Sequence, residues 1–174
     1  MAVKLSLSRE KRGLGHEEAR SLILRAVRAA LAAEGVRENC AVSAMLTDDE
    51  GIREINRGYR GIDAATDVLS FPLNELRPGE FRPEECERDL DTGDILLGDM
   101  VFSLERCARQ GEEFGHGFAH ELMYLTVHSV LHLLGYDHVD EGEMKRRMRG
   151  REKAIMERLG EPESALLSCI RQYW

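Results

Sequence analysis

Val127-His128-Ser129-Val130-Leu131-His132-Leu133-Leu134-Gly135-Tyr136-Asp137-His138 is the stretch that decides how this chain is read. The apolar residues around the first two histidines predict a helix from about Gly117 to Leu134. His128 and His132 are four residues apart, so they stack on one face of that helix with Cβ atoms about 5–6 Å apart. That spacing suits two imidazoles on one zinc ion at about 2.0–2.1 Å. A third ligand requires the chain to turn back. Gly135 can take the positive φ that ends the helix, so that His138 arrives from another direction. Three neutral nitrogens leave one position open, which is the pattern of a catalytic zinc site.

Zinc proteases with this spacing carry glutamate as general base directly after the first histidine. Here that slot is Ser129, which removes the central group of peptide hydrolysis. Asp137, Asp67 and Asp99 are the acids expected to assist beside the metal. His120 lies eight residues before His128, about 12 Å along a helix, and is expected to face solvent or flank the ligands. His116 is expected in the loop entering the helix, and His16 at the surface.

Working outward, alternation in Val3–Ser8 predicts a strand, and His16 to Glu34 an amphipathic helix ended by Gly35. Cys40–Leu46 reads as a strand. Thr47-Asp48-Asp49 offers caps for a short helix to about Gly58. Val68–Phe71 is a short strand stopped by Pro72, and Asn74–Gly93 a long irregular loop. Ile95–Ser103 is β-prone, with Gly98 marking a bulge or a close backbone approach. Ser103 caps a helix to about Arg109, and a last helix runs from about Asp140 to Leu159. Ser164–Trp174 is expected either to pack back as a short helix or to stay mobile. The expectation is one α/β (α+β) domain over residues 1–174. It has about four strands in a mixed sheet, about five to six helices, and the metal site on a long helix and the loop after it.

The 174 residues fit one domain, and a net charge of −8 argues against a general nucleic-acid binder while leaving room for a local basic cleft. The acidic run Glu84–Asp91 reads as an exposed loop. Lys145–Arg151 reads either as a solvated helix face or as an RNA-backbone contact. The four scattered cysteines form no CxxC pair and read as free thiols of a cytoplasmic protein. No apolar run reaches membrane-spanning length, and the first residues carry no secretory pattern.

Three segments carry a family resemblance. The histidine stretch resembles the HGxLHLxGYDH hallmark of the YbeY family, with Ser129 where the family carries glycine. Asn56, Tyr59, Arg60 and Thr66-Asp67-Val68-Leu69-Ser70-Phe71-Pro72 match a second signature, NxxYRxxxxxTDVLSFP. Leu97-Gly98-Asp99-Met100 resembles a third, LGDI, with methionine for isoleucine. Glu121 and Leu125 fit the helix before the histidines. The resemblance is firm over about Val42–Asp140.

It implies a bacterial single-strand-specific metal-dependent endoribonuclease with one metal ion, Zn2+ or another divalent transition metal, on His128, His132 and His138. The implied role is maturation of the 3′ end of small-subunit (16S) ribosomal RNA, ribosome biogenesis and ribosome quality control. Implied partners are rRNA, the small subunit and assembly factors such as the Era GTPase, with neither membrane nor DNA. Arg60 is the implied catalytic residue beside His128; a guanidinium can grip a phosphate in bidentate fashion and neutralise developing charge. The bland alternative for Arg60 is a surface ion pair, and for Thr66 and Asp67 a local turn. Arg57, Arg53, Lys145 and Arg146 are expected to track the RNA backbone. The alternatives are a zinc hydrolase of a peptide or another phosphoester, and a ribosome-assembly binding factor with a structural metal.

Overall fold

In the computed structural model, residues 1–137 and 142–160 are described. His138 and Ser164–Trp174 lie outside them. The elements run β1 (Val3–Arg9), α1 (Ala19–Ala33), β2 (Cys40–Thr47), α2 (Asp49–Arg60), β3 (Val68–Pro72), β4 (Ile95–Ser103), α3 (Leu104–Glu113), α4 (Gly117–Leu133) and α5 (Glu143–Arg158). A single 3-10 turn at Pro83–Glu85 interrupts the long loop.

The four strands form one mixed sheet in the order β1-β2-β4-β3. β1, β2 and β4 are parallel, and β3 pairs antiparallel with β4 at the edge. Side chains alternate between the two faces. On one face Leu5, Val42, Ala44, Leu46, Met100 and Phe102 join the main core with α1 and α4. On the other, Leu69 and Val101 pack with Ile52 of α2 in a smaller cluster.

α4 is apolar on nearly every side, which marks a helix enclosed by protein. Every residue from His120 to Leu131 is buried, and α1, α3, α5 and β3 pack around it. The fold thus holds the HxxxH pair on its central helix.

Capping fixes the neighbouring elements. The Asp48 side chain accepts from Gly51 N to start α2, and Ser103 Oγ accepts from Arg106 N to start α3. α1 begins at Ala19, three residues later than the sequence suggests, because His16 sits at φ 56°. β4 runs unbroken through Gly98, which has φ 142° and sits at a bulge where the register with β2 skips a residue. A Cβ there would strike the carbonyl oxygen of Phe71, so bulge and close approach coincide. Cys40, Cys86 and Cys107 are free thiols. Among the described residues no helix is long and apolar enough to cross a membrane.

Candidate metal centre

His128 and His132 turn toward each other from successive turns of α4, with Nε2 atoms 3.1 Å apart. Their other ring nitrogens are engaged. His132 Nδ1 lies 2.9 Å from the carbonyl oxygen of Tyr136, which can only accept, so that nitrogen carries the proton. His128 Nδ1 donates in the same way to Glu152 Oε1 at 2.7 Å. In the neutral rings each Nε2 therefore carries the lone pair, and the two atoms adjoin. Two ligands on a tetrahedral zinc at about 2.05 Å are separated by about 3.3 Å, so the donor set and its spacing fit a shared cation.

Burial alone would lower the pKa of His128. The charge and hydrogen bond of Glu152, with a further contribution from Asp67, outweigh burial and raise it. Among the described residues no group of three metal-ligating side chains assembles, and the expected third ligand, His138, lies outside them.

The turn after α4 is built on Gly135, at φ 98°. Its α-carbon lies against the backbone of Leu76, where a Cβ would strike the carbonyl oxygen. The reversal brings the Tyr136 carbonyl back under His132. The Tyr136 hydroxyl donates to Glu34 Oε2 at 2.7 Å, and Arg151 binds Glu34 Oε1 at 2.6 Å. α1, α5 and the turn are thereby tied behind the ligands. Burial and the neighbouring Glu34 push the Tyr136 phenol up to about 12.

In front of the two Nε2 atoms opens a cleft of about 640 Å³. Its lining includes Arg60, Thr66, Asp67, Ser70, Asn74, Glu75 and Asp137. Arg60 is exposed at the C-terminal end of α2 and makes no ion pair among the described residues. Asp67 is buried; its Oδ1 accepts from Val68 N at 2.7 Å and its Oδ2 from Gln110 Nε2 at 3.1 Å. It therefore holds the local turn and also faces the cleft.

Ser129, in the slot where proteases keep glutamate, is fully buried, and its Oγ lies 2.6 Å from Ser70 Oγ on β3. It joins helix to sheet and points away from solvent.

The structure rearranges several expectations. Asp99 does not line this cleft. It lines a second cleft on the other sheet face, because the Gly98 bulge sets its side chain in line with Phe71 and Val101. Arg53 is held by Asp63 in two contacts of 2.8 and 3.2 Å, and Arg57 lies 3.8 Å from Glu54. Neither lines the histidine cleft, nor do Lys145 and Arg146 of α5. His120 is buried, with its ring 4.2 Å from that of His116. His116 sits at the N-terminal cap of α4, its Nε2 2.6 Å from Glu121 Oε2. His16 stacks on Phe118 at 3.8 Å.

The residue that sequence reasoning missed is Glu152, fully buried on α5 and gripped by His128 and by the Tyr124 hydroxyl at 2.6 Å. One signal was available. Met148, Glu152, Ile155 and Met156 share the spacing of one buried helix face, and the glutamate stands in that stripe.

The family model described as Endoribonuclease YbeY matches residues 4–160. A Caldanaerobacter subterraneus protein named Endoribonuclease YbeY is 51% identical over 140 residues, covering 80% of this chain and 87% of the relative. A Clostridium botulinum protein of the same name is 46% identical over 147 residues, covering 81% and 88%. A solution structure of a Thermotoga maritima protein shares the fold, with TM-score 0.53 at 21% identity over 92% of this chain and 94% of that one.

Proposed function

The chain belongs to the YbeY endoribonuclease family, and from that premise we propose that it cuts single-stranded RNA at the histidine cleft as a metal-dependent endonuclease. Its work is maturation of the 3′ end of small-subunit ribosomal RNA in the cytoplasm, and with it ribosome biogenesis and quality control. The small subunit and assembly factors such as the Era GTPase are the partners of this reading.

The observation that carries the proposal is that an exposed guanidinium, Arg60, lines the same cleft as two adjoining imidazole nitrogens. His128, His132 and His138 would hold the metal, with zinc the choice that suits imidazole ligands. When bound there, zinc supplies a Lewis acid for a phosphate oxygen and lowers the pKa of a water.

The remaining work falls to side chains of this chain. Arg60 binds the phosphodiester and stabilises the extra charge that builds on its oxygens. Glu152 and the Tyr136 carbonyl fix each ring's proton on Nδ1, which leaves the lone pair of each ring on Nε2, the nitrogen that would bind the metal. Asp67, held by Val68 N and Gln110, presents a carboxylate at the cleft wall. Ser129, in the protease base position, carries no carboxylate and its hydroxyl is engaged by Ser70, which disfavours peptide hydrolysis.

The test is cleavage of single-stranded ribosomal RNA and of a matched duplex by the purified, metal-loaded protein. Cutting of the single strand alone, lost in Arg60→Ala with an unchanged circular-dichroism spectrum, is the expected result. Equal cutting by Arg60→Ala would refute the assignment.

A further inference from the structure

The sheet face opposite the histidine site carries a second cleft, of about 500 Å³. Paired residues across its four strands form a continuous row. Ser6 pairs with Ser43, Ser43 with Asp99, and Asp99 with Phe71. Paired side chains stand on the same face about 4.5–5.5 Å apart. Ser6, Ser43 and Asp99 are exposed and make no side-chain hydrogen bond or ion pair among the described residues. Met45, Ile55 and Val101 of the smaller apolar cluster flank this polar row. At its end Tyr59, 79% exposed, meets Phe71 edge-on with ring centroids 5.5 Å apart.

The two clefts meet at one place. β3 is an edge strand, and its alternation puts Ser70 and Pro72 in the histidine cleft and Phe71 in the other. Neighbouring residues at the end of α2 divide in the same way, with Arg60 lining the first cleft and Tyr59 the second. A chain gripped by Arg60 has only a strand's width to cross before it reaches Tyr59.

We propose that this second cleft is a base-binding subsite, which seats an unpaired RNA base next to the phosphate held by Arg60. The proposal rests on the RNA-cleavage reading above. Tyr59 is the stacking platform, since every base presents a π-face to an aromatic ring. Asp99 reads the edge of that base. Its carboxylate repels phosphate, so the backbone stays on the Arg60 side. It accepts from bases with amino or imino donors, guanine foremost because two adjacent donors fit its two oxygens. Uridine, with no amino group, fits less well.

The test uses the full-length metal-loaded protein and a single-stranded RNA oligonucleotide with one cleavage site. An abasic nucleotide is placed at each position in turn. A parallel series carries 2-aminopurine, whose fluorescence reports stacking independently of cleavage. The expected result is about a tenfold rise in KM from one abasic position adjoining the cut, with quenching of 2-aminopurine there. Tyr59→Ala should lose the same factor on intact RNA and nothing more on the abasic RNA, while Tyr59→Phe retains it. Asp99→Asn should erase the preference for guanine over uridine at that position.

Normal cutting with indifference to every abasic position and to Tyr59→Ala would overturn the subsite and leave the RNA-cleavage reading standing. Failure of the wild-type protein to bind or cut any RNA would overturn both. If the same variants cut free RNA normally but lose association with small-subunit particles, the face belongs to a protein partner and the subsite is refuted.

Discussion

Glu152 Oε1 and His128 Nδ1 lie 2.7 Å apart with both side chains buried, although 24 residues of chain separate them. The other carboxylate oxygen accepts from the Tyr124 hydroxyl, so α4 and α5 are joined by a polar contact inside an apolar interface. Such a carboxylate does two things for a metal-binding imidazole: it fixes the tautomer and it raises the basicity of the ligating nitrogen.

Glu152→Gln is therefore expected to weaken metal binding about 10–100-fold while the fold persists. Competition against a chelator of known affinity measures this directly. Glu152→Ala removes an acceptor from two buried donors and should also destabilise the protein by about 3 kcal/mol, read from urea unfolding.

Ser129→Glu restores the HExxH pattern of zinc proteases, and the expected outcome is a damaged protein and no protease. The site is fully buried against Ser70, so a larger charged side chain has neither room nor solvent. Its cost should exceed about 3 kcal/mol. Ser129→Gly removes only the contact with Ser70 and should cost about 1–2 kcal/mol, leaving metal affinity unchanged. Denaturation midpoints and a casein assay with added zinc separate the two cases.

Gly135→Ala strains the backbone at φ 98° and forces a methyl group into the carbonyl of Leu76. A stability loss of about 3 kcal/mol is expected. Because the Tyr136 carbonyl orients His132, metal affinity should fall with it. A variant with normal affinity and reduced stability would separate the turn from the site.

The histidine spacing and the glycine turn were legible in the sequence because each is local, a helix repeat and a positive-φ residue, whereas Arg60 was singled out only through the family resemblance. Glu152 was not. It stands beside Lys145–Arg151, where a further charged residue reads as more solvated surface, and only its place in the stripe with Met148, Ile155 and Met156 marks it as buried. Asp99 was misplaced for a different reason. Local pattern shows that strand residues alternate, but which face of the sheet receives α4 is decided by packing between distant segments. His138, central to the sequence reading, lies outside the described residues. The five helices and mixed sheet of the described residues match the expected class, because strand alternation, glycine stops and caps mark most of the elements.

Stability toward acid should depend on Asp49. Burial raises its pKa. Hydrogen bonds from Ser103, Arg109 and Arg106 together outweigh burial, so the net shift is downward. A depressed carboxyl contributes stability that is fully present above its unfolded value, about pH 4, and is lost as pH falls through the folded value. Asp49→Asn should cost about 1 kcal/mol at neutral pH and flatten the acid limb of the stability curve below about pH 4. Urea midpoints across that range check both.

The central claim is that a cation held at His128 and His132 and a phosphate held at Arg60 act together on RNA. The most direct measurement strips untagged protein of metal, restores zinc in substoichiometric steps, and follows cleavage of a labelled single-stranded ribosomal RNA. Cleavage should be absent from the stripped protein and rise linearly to a plateau at one equivalent. Stripped protein that cuts as fast as the restored protein would contradict the account.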